Sequence, residues 1–211
     1  DRLSPTRDRF DFADADRIAN FARQNGKRMR GHTLLWHLGM PRWANTLLRE
    51  TRDWEHVRRY FQGVMPRYAD IVDEWDVVNE PIDVGSRSDG LRANQFLQAF
   101  GPSYIERAFW SAREISPRTR LFLNEYGLEY ASQEEGQRRL NLLRLLEKLL
   151  AKGVPVHGVG LQAHLDLRKG RLYTDGIYGL LRDISGFGLR VSITELDVRE
   201  QDSPRSLEAR D

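Results

Sequence analysis

The chain has 211 residues, 40% of them hydrophobic, which is enough for one sizeable core, and no stretch reads as a linker between two domains. Lys and Arg number 33 against 31 Asp and Glu, a formal charge of +2. No basic cluster is interleaved with aromatics, which argues against a nucleic-acid partner. Cysteine is absent, excluding disulfides, thiolate nucleophiles and sulfur metal sites, and no apolar run approaches the ~20 residues of a membrane span, so no membrane partner is expected either.

In chain order, residues up to Phe12 are polar and turn-rich. Asp14 is the expected cap of a helix whose apolar face is Ala15, Ile18, Phe21 and Ala22, with Gly26 as its stop. Arg28 to His37 reads as one strand, and Gly39 to Arg52 as a loop containing Pro41. Asp53 to Tyr68 is amphipathic, with Trp54, Val57, Phe61, Val64 and Tyr68 on one face; Pro66 predicts a kink or an early stop. The run Trp75-Asp76-Val77-Val78 is a buried strand that ends at Asn79-Glu80-Pro81.

A loop from Asp83 to Gly90 leads to a helix over Tyr104 to Ile115, closed by Pro117. Arg120 to Asn124 is the next strand. Ser132 and Glu135 form a capping box before a Leu-rich helix running to Lys152. Val156 to Leu161 is a strand leading into Gln162-Ala163-His164; a helix over Thr174 to Ile184 and a strand over Leu189 to Thr194 follow, and the tail after Arg199 is polar loop. Strand then helix, repeated, predicts an α/β fold with five parallel strands. Trp43, Trp54, Trp75 and Trp110 are expected in core or loop packing.

In such sheets the carboxyl ends of the strands carry the chemistry. There the sequence offers Asn79 and Glu80 after one strand, Gln162 and His164 after another, and Glu195 and Asp197 after Val191-Ser192-Ile193-Thr194. Side chains an even number apart on a strand share a face, so His32 and Trp36 sit together while His32 and His37 oppose, against a two-histidine metal site. Any one of these residues is more often ordinary packing or a solvated turn. Polar groups gathered at strand ends while strand middles stay apolar favour a site, and two carboxylates over one barrel mouth suit glycosidic-bond cleavage.

Gly31-His32-Thr33-Leu34-Leu35-Trp36-His37, Trp75 to Pro81, Gly160-Leu161-Gln162-Ala163-His164-Leu165 and Ile193-Thr194-Glu195-Leu196-Asp197 resemble the successive motifs of glycoside hydrolase family 10, the retaining endo-β-1,4-xylanases built on a (β/α)8 TIM barrel. The resemblance runs from about Phe10 to Arg199. It implies Glu80 as general acid/base and Glu195 as nucleophile, with Asn79 on the sugar 2-hydroxyl and His164 on the nucleophile, held by Asp197. It also implies that His32, Trp36 and Gln162 line the cleft and that Tyr126 sits near subsite +1. No metal or other cofactor is implied, and the partner is xylan or a xylo-oligosaccharide. The resemblance implies secretion or the periplasm for the intact parent, because polymeric xylan does not enter cells. Oligomeric state is not legible.

Two departures stand out. Leu38-Gly39 replaces the usual Ser-Gln, and Asn124-Glu125-Tyr126-Gly127 replaces Asn-Asp-Tyr-Asn. A complete barrel takes ~250 residues. Residues 1–211 are therefore expected to form an incomplete catalytic domain, a partial barrel of about strands three to seven with the first two and the last absent. Two strand edges are expected to be unpaired, and turnover weak or absent. The rivals are a β-1,4-glucanase on the same barrel and a non-catalytic carbohydrate-binding barrel.

Overall fold

The computed structural model describes residues 2–200. Strands β1 (Met29–Gly31) and β2 (Leu35–Trp36) lie end to end along one side of β3 (Val72–Asn79). On the other side of β3 come β4 (Arg120–Glu125) and β5 (Gly158–Leu161). Beyond a short strand, β6 (His164–Asp166), β7 (Arg190–Ile193) completes the sheet against β5, and every pairing is parallel. β8 (Asp197–Arg199) pairs only with β6, in a separate parallel ribbon just past the ends of β5 and β7.

Helices alternate with these strands: α1 (Ala13–Gln24), α2 (Arg42–Thr51), α3 (Glu55–Val64), α4 (Gln95–Phe100), α5 (Tyr104–Ile115), α6 (Gln133–Ala151) and α7 (Thr174–Gly186). The architecture is a partial (β/α)8 barrel with five strand positions, the first divided between β1 and β2. Among the described residues, neither the β1/β2 edge nor β7 has a second neighbour in this sheet. β7 is accordingly only half covered, with Ile193 57% exposed.

The helix layer packs as the amphipathic patterns require. Phe61, Val64, Ala108, Phe109, Leu142, Leu146 and Ile184 are fully buried, and the Trp54 indole donates to Ser111 Oγ at 2.9 Å. Glycine is required where strands crowd the barrel: a Cβ on Gly158 would meet the Phe122 ring and lie 2.8 Å from the Arg190 carbonyl oxygen. Inside the barrel the strands carry charge, which the apolar reading of strand middles did not foresee. Arg30 bonds both Glu74 and the fully buried Asp76, and Arg120 bonds Glu74 from the next strand. Buried charges persist only when paired in this way.

Several local expectations are corrected. Asp14 does not cap α1; it lies in the first turn, and Asp11 Oδ1 accepts from the Ala13 amide instead. The face of α1 buried against the domain is Ala19 and Ala22, whereas Ile18 and Phe21 are 60% and 66% exposed on the side where the sheet edge is open. The strand over residues 28–37 is interrupted at His32, Thr33 and Leu34, the His32–Thr33 peptide being cis. The loop over residues 39–52 contains α2: Pro41, with extended backbone, starts the helix rather than preventing one, and α4 was likewise missed. Trp110 is 45% exposed on α5. The capping box is half formed, since Ser132 Oγ accepts from the Glu135 amide but the Glu135 carboxylate turns to the Tyr130 amide. The tail from residue 201 lies outside the described residues.

Candidate active site

The register of the sheet assembles the site. Trp36 is level with Asn79, Asn79 with Asn124, Asn124 with Gly160 and Gly160 with Ser192, so five strand ends finish in one row. Past that row the backbone bends sharply. Glu80 has φ +54° and Ala163 has φ +58°, left-handed conformations rare outside glycine, and both bends lie at the rim. The bend at Ala163 separates its neighbours: Gln162 turns toward Asn79 and Glu80, His164 toward Glu195 and Asp197. Glu195 stays beside Gln162 because its amide donates to the Gln162 carbonyl at 3.1 Å, continuing the ladder beyond β7.

Glu80 and Glu195 are joined through two amides. Asn79 Nδ2 donates to Glu80 Oε1 at 3.1 Å; Asn124 Nδ2 donates to Asn79 Oδ1 at 2.9 Å and to Glu195 Oε1 at 2.7 Å. Gln162 Nε2 reaches both Asn79 Oδ1 and Glu80 Oε1, at 3.2 and 3.3 Å. Thr194 Oγ1 donates to Asn124 Oδ1 at 2.8 Å, which fixes the orientation of that amide. Asn124 was missed as a site residue by sequence reasoning, although it stands in the segment singled out for departing from the family pattern. Nothing local set it apart, because Glu125 beside it is equally polar and only sheet register brings Asn124 to Glu195.

The far oxygen of Glu195 meets His164 Nε2 at 3.3 Å, and His164 Nδ1 meets Asp197 Oδ1 at 2.9 Å. Burial works to lower the His164 pKa, but the Asp197 hydrogen bond and the charges of Asp197 and Glu195 outweigh it and raise the ring above 6.5. His32 behaves alike: burial opposes, yet the bond from Nδ1 to Asp76 (3.0 Å), with the charges of Asp76 and Glu195, raises it. His32 Nδ1 lies 3.8 Å from Glu195 Oε1. Asp76, which no sequence argument selected, thus links the charged barrel interior to the rim.

Trp36 packs beside His32, ring centroids 6.4 Å apart, and its indole nitrogen is buried without a partner. The face-sharing argument for this pair assumed a continuous strand; the two rings meet although the strand breaks between them. His37 turns toward Arg92 and Glu80, where burial and the Arg92 charge lower its pKa. Tyr126 lies apart from the other site residues, lining a separate cavity of about 520 Å³ with Arg138, Lys169 and Arg171, its hydroxyl accepting from Arg92 Nη2 at 3.0 Å. Among the described residues, then, the structure brings together Asn79, Glu80, Gln162, His164, Glu195, Asp197 and His32, with Trp36 at the edge of the group and Tyr126 beside it.

A parallel barrel with two glutamates from different strands bridged at its carboxyl-terminal rim defines a class, the glycoside hydrolases. The comparisons narrow it. The chain belongs to Glycosyl hydrolase family 10, whose family model matches residues 1–211. An endo-1,4-beta-xylanase A from a Caldicellulosiruptor species is 39% identical over 176 residues, covering 78% of this chain and 25% of the relative. A protein named exoglucanase XynX from Acetivibrio thermocellus is 34% identical over 209 residues, covering 93% of this chain and 18% of the relative. The crystal structure of xylanase 10B from Thermotoga petrophila in complex with xylobiose superposes with a TM-score of 0.83 at 31% identity, covering 98% of this chain and 61% of that one. The chain thus spans a quarter or less of these two curated relatives and under two thirds of the solved chain.

Proposed function

We propose that this chain carries the catalytic face of a retaining endo-β-1,4-xylanase, with Glu195 as nucleophile and Glu80 as acid/base. The observation that carries the reading is the bridge Glu80–Asn79–Asn124–Glu195, which holds two carboxyls from different strands at one rim. Their remaining partners differ in kind. Glu195 accepts from the Asn124 amide on one oxygen and faces His164, which Asp197 holds, on the other. Glu80 sees neutral amide donors on Oε1, leaving its other oxygen to give a proton to a leaving group.

In the first step Glu195 attacks the anomeric carbon, the glycosidic bond breaks, and its oxygen leaves with the proton of Glu80. In the second, Glu80, now a carboxylate, takes a proton from water as that water attacks the same carbon, and Glu195 departs with net retention. Asn79, between the two, is placed for the 2-hydroxyl of the sugar in the cleft; His32, Trp36 and Gln162 line it, and Tyr126 serves the leaving-group side. The substrate is xylan or a xylo-oligosaccharide, and a polymeric substrate places the working protein outside the cytoplasm, secreted or in the periplasm. With both sheet edges unpaired among the described residues, slow turnover by the 211-residue chain is expected.

An activated aryl xylobioside fluorinated at C2 tests this: fluorine slows both steps, the good leaving group restores the first, and the covalent intermediate accumulates. Mass spectrometry should find one fluoroxylobiosyl group, on Glu195. No adduct, or an adduct elsewhere, overturns the assignment. The relative named as an exoglucanase keeps a second reading open, action on β-1,4-glucan. Rates on xylan and on a soluble cellulose derivative, measured side by side, separate the two.

A further inference from the structure

Glu125 is fully buried, and the proposed chemistry does not use it. It follows Asn124 directly on β4, so its side chain leaves the opposite face of the sheet, away from the cleft. Its carboxylate accepts from two backbone amides: Ile82 N–H at 2.9 Å on Oε2 and Tyr126 N–H at 3.1 Å on Oε1. Arg138, 2% exposed on α6, comes within 3.8 Å of Glu125 Oε1, but its Nη1 donates to the Ile82 carbonyl at 2.9 Å. Glu125 and Arg138 therefore take the N–H and the C=O of one residue, two positions after Glu80.

The rest of that turn is held as completely. Glu80 N–H donates to the Asn124 carbonyl at 2.9 Å, and the Glu80 carbonyl accepts from Arg92 Nε at 2.9 Å. The Pro81 carbonyl accepts from the Arg92 amide at 2.7 Å, and Arg92 Nη2 adds a second donor to the Ile82 carbonyl at 3.0 Å. Every backbone polar group from Glu80 to Ile82 is thereby bonded, around a residue whose φ is +54°. A left-handed glutamate persists only where its surroundings over-determine it.

We infer that Glu125 is the positioning residue for Glu80: by fixing the Ile82 amide to β4, with Arg138 and Arg92 on the carbonyls, it sets the direction in which the acid/base carboxyl points into the cleft. A pair that merely tied α6 to the sheet would bond directly, guanidinium to carboxylate; here both groups converge on a turn instead. Burial pushes the Glu125 carboxyl up to about 8, against the pull of the Ile82 and Tyr126 amides and the Arg138 charge. The inference rests on the reading of Glu80 as the acid/base.

The test compares two substrates on the 211-residue chain: a xylo-oligosaccharide, whose leaving group needs a proton, and a 2,4-dinitrophenyl xylobioside, whose leaving group does not. General acid catalysis is worth roughly 10²–10⁴-fold. Glu125→Leu should lose about tenfold or more of that on the oligosaccharide and under about threefold on the aryl glycoside. Glu125→Gln keeps an acceptor for the Ile82 amide and should recover most of the difference. Glu125→Leu/Arg138→Met removes the stranded guanidinium and serves if the single variant does not fold. Hydrogen exchange at the Ile82 amide, which needs no turnover, should speed up in both Leu variants and not in Glu125→Gln. Equal losses on both substrates, or an Ile82 amide that exchanges as before, overturns the inference. Glu80→Gln is the control: if it too shows no dependence on the leaving group, the fault lies with the acid/base reading itself, and the inference falls with it.

Discussion

Asn124→Leu removes the amide that joins the two glutamates while keeping the same branched heavy-atom skeleton in a fully buried position. Three hydrogen bonds disappear, but two of the groups released have a second partner. Asn79 Oδ1 keeps Gln162 at 3.2 Å, and Thr194 Oγ1 has the Leu161 carbonyl at 3.3 Å. Glu195 Oε1 keeps only the His32 ring nitrogen, at 3.8 Å and beyond hydrogen-bond reach, since His164 bonds the other oxygen. A hydrogen bond to a charged group is worth about 1.5–3 kcal/mol and a neutral one about 1. The Glu195 side chain is 28% exposed, so water replaces part of the loss. The expected sum is about 1–3 kcal/mol of stability, seen as a lower urea midpoint with unchanged slope.

The same loss frees the nucleophile to turn away from the anomeric carbon. At about 1.4 kcal/mol per tenfold, formation of the covalent intermediate should slow by about 10–100-fold. The rate of trapping by the fluorinated glycoside reads that step alone. A trapping rate within about twofold of wild type, in a variant whose urea midpoint has fallen, would refute the claim that Asn124 aims Glu195.

Other outcomes follow from particular contacts. The folded pKa of His164 is raised, so its contribution to stability is full below the unfolded value near 6.5 and is lost as pH rises through the folded value. Asp197→Ala should bring the ring titration, followed by NMR, down toward 6.5; an unmoved titration contradicts the pairing. Glu125 is raised to about 8, so the folded state holds a proton that the unfolded chain has released above about 4.5; stability should fall as pH climbs between those values. Urea midpoints across that range should decline by the equivalent of a few kcal/mol at most, and Glu125→Gln should flatten the decline. Gly158→Ala drives a methyl group against the Phe122 ring and the Arg190 carbonyl and should cost about 1–3 kcal/mol, again by urea titration.

Much of the fold was legible because the strands are short β-branched and aromatic runs, each followed by a helix with a clear apolar stripe. α3, α5, α6 and α7 lie where the periodicity put them. What failed has local causes. Pro41 reads as a loop residue in isolation, yet it starts α2. Ile18 and Phe21 have the spacing of a buried face, but burial depends on what stands opposite, and at the β1 edge the described chain supplies nothing there. The strand-end glutamates could be found from motif and position alone. Asn124, Asp76 and Glu125 could not, because their importance comes from partners 43 to 71 residues away, a relation set by sheet register. Applied to Gln162 and His164, the even-odd rule puts both on one face of a continuous strand; the strand does not run through, and the bend at Ala163 turns the two toward different partners.

The central claim is that Glu80 and Glu195 act on opposite sides of one reaction at the same sugar. Glu80→Ala, given azide and a 2,4-dinitrophenyl xylobioside, tests it most directly. Glu195 should still form the covalent intermediate, and azide should enter where the Glu80 carboxylate would have guided water, accelerating turnover and releasing the β-xylobiosyl azide. An α-azide, or a rate indifferent to azide, would contradict the assignment of the two roles.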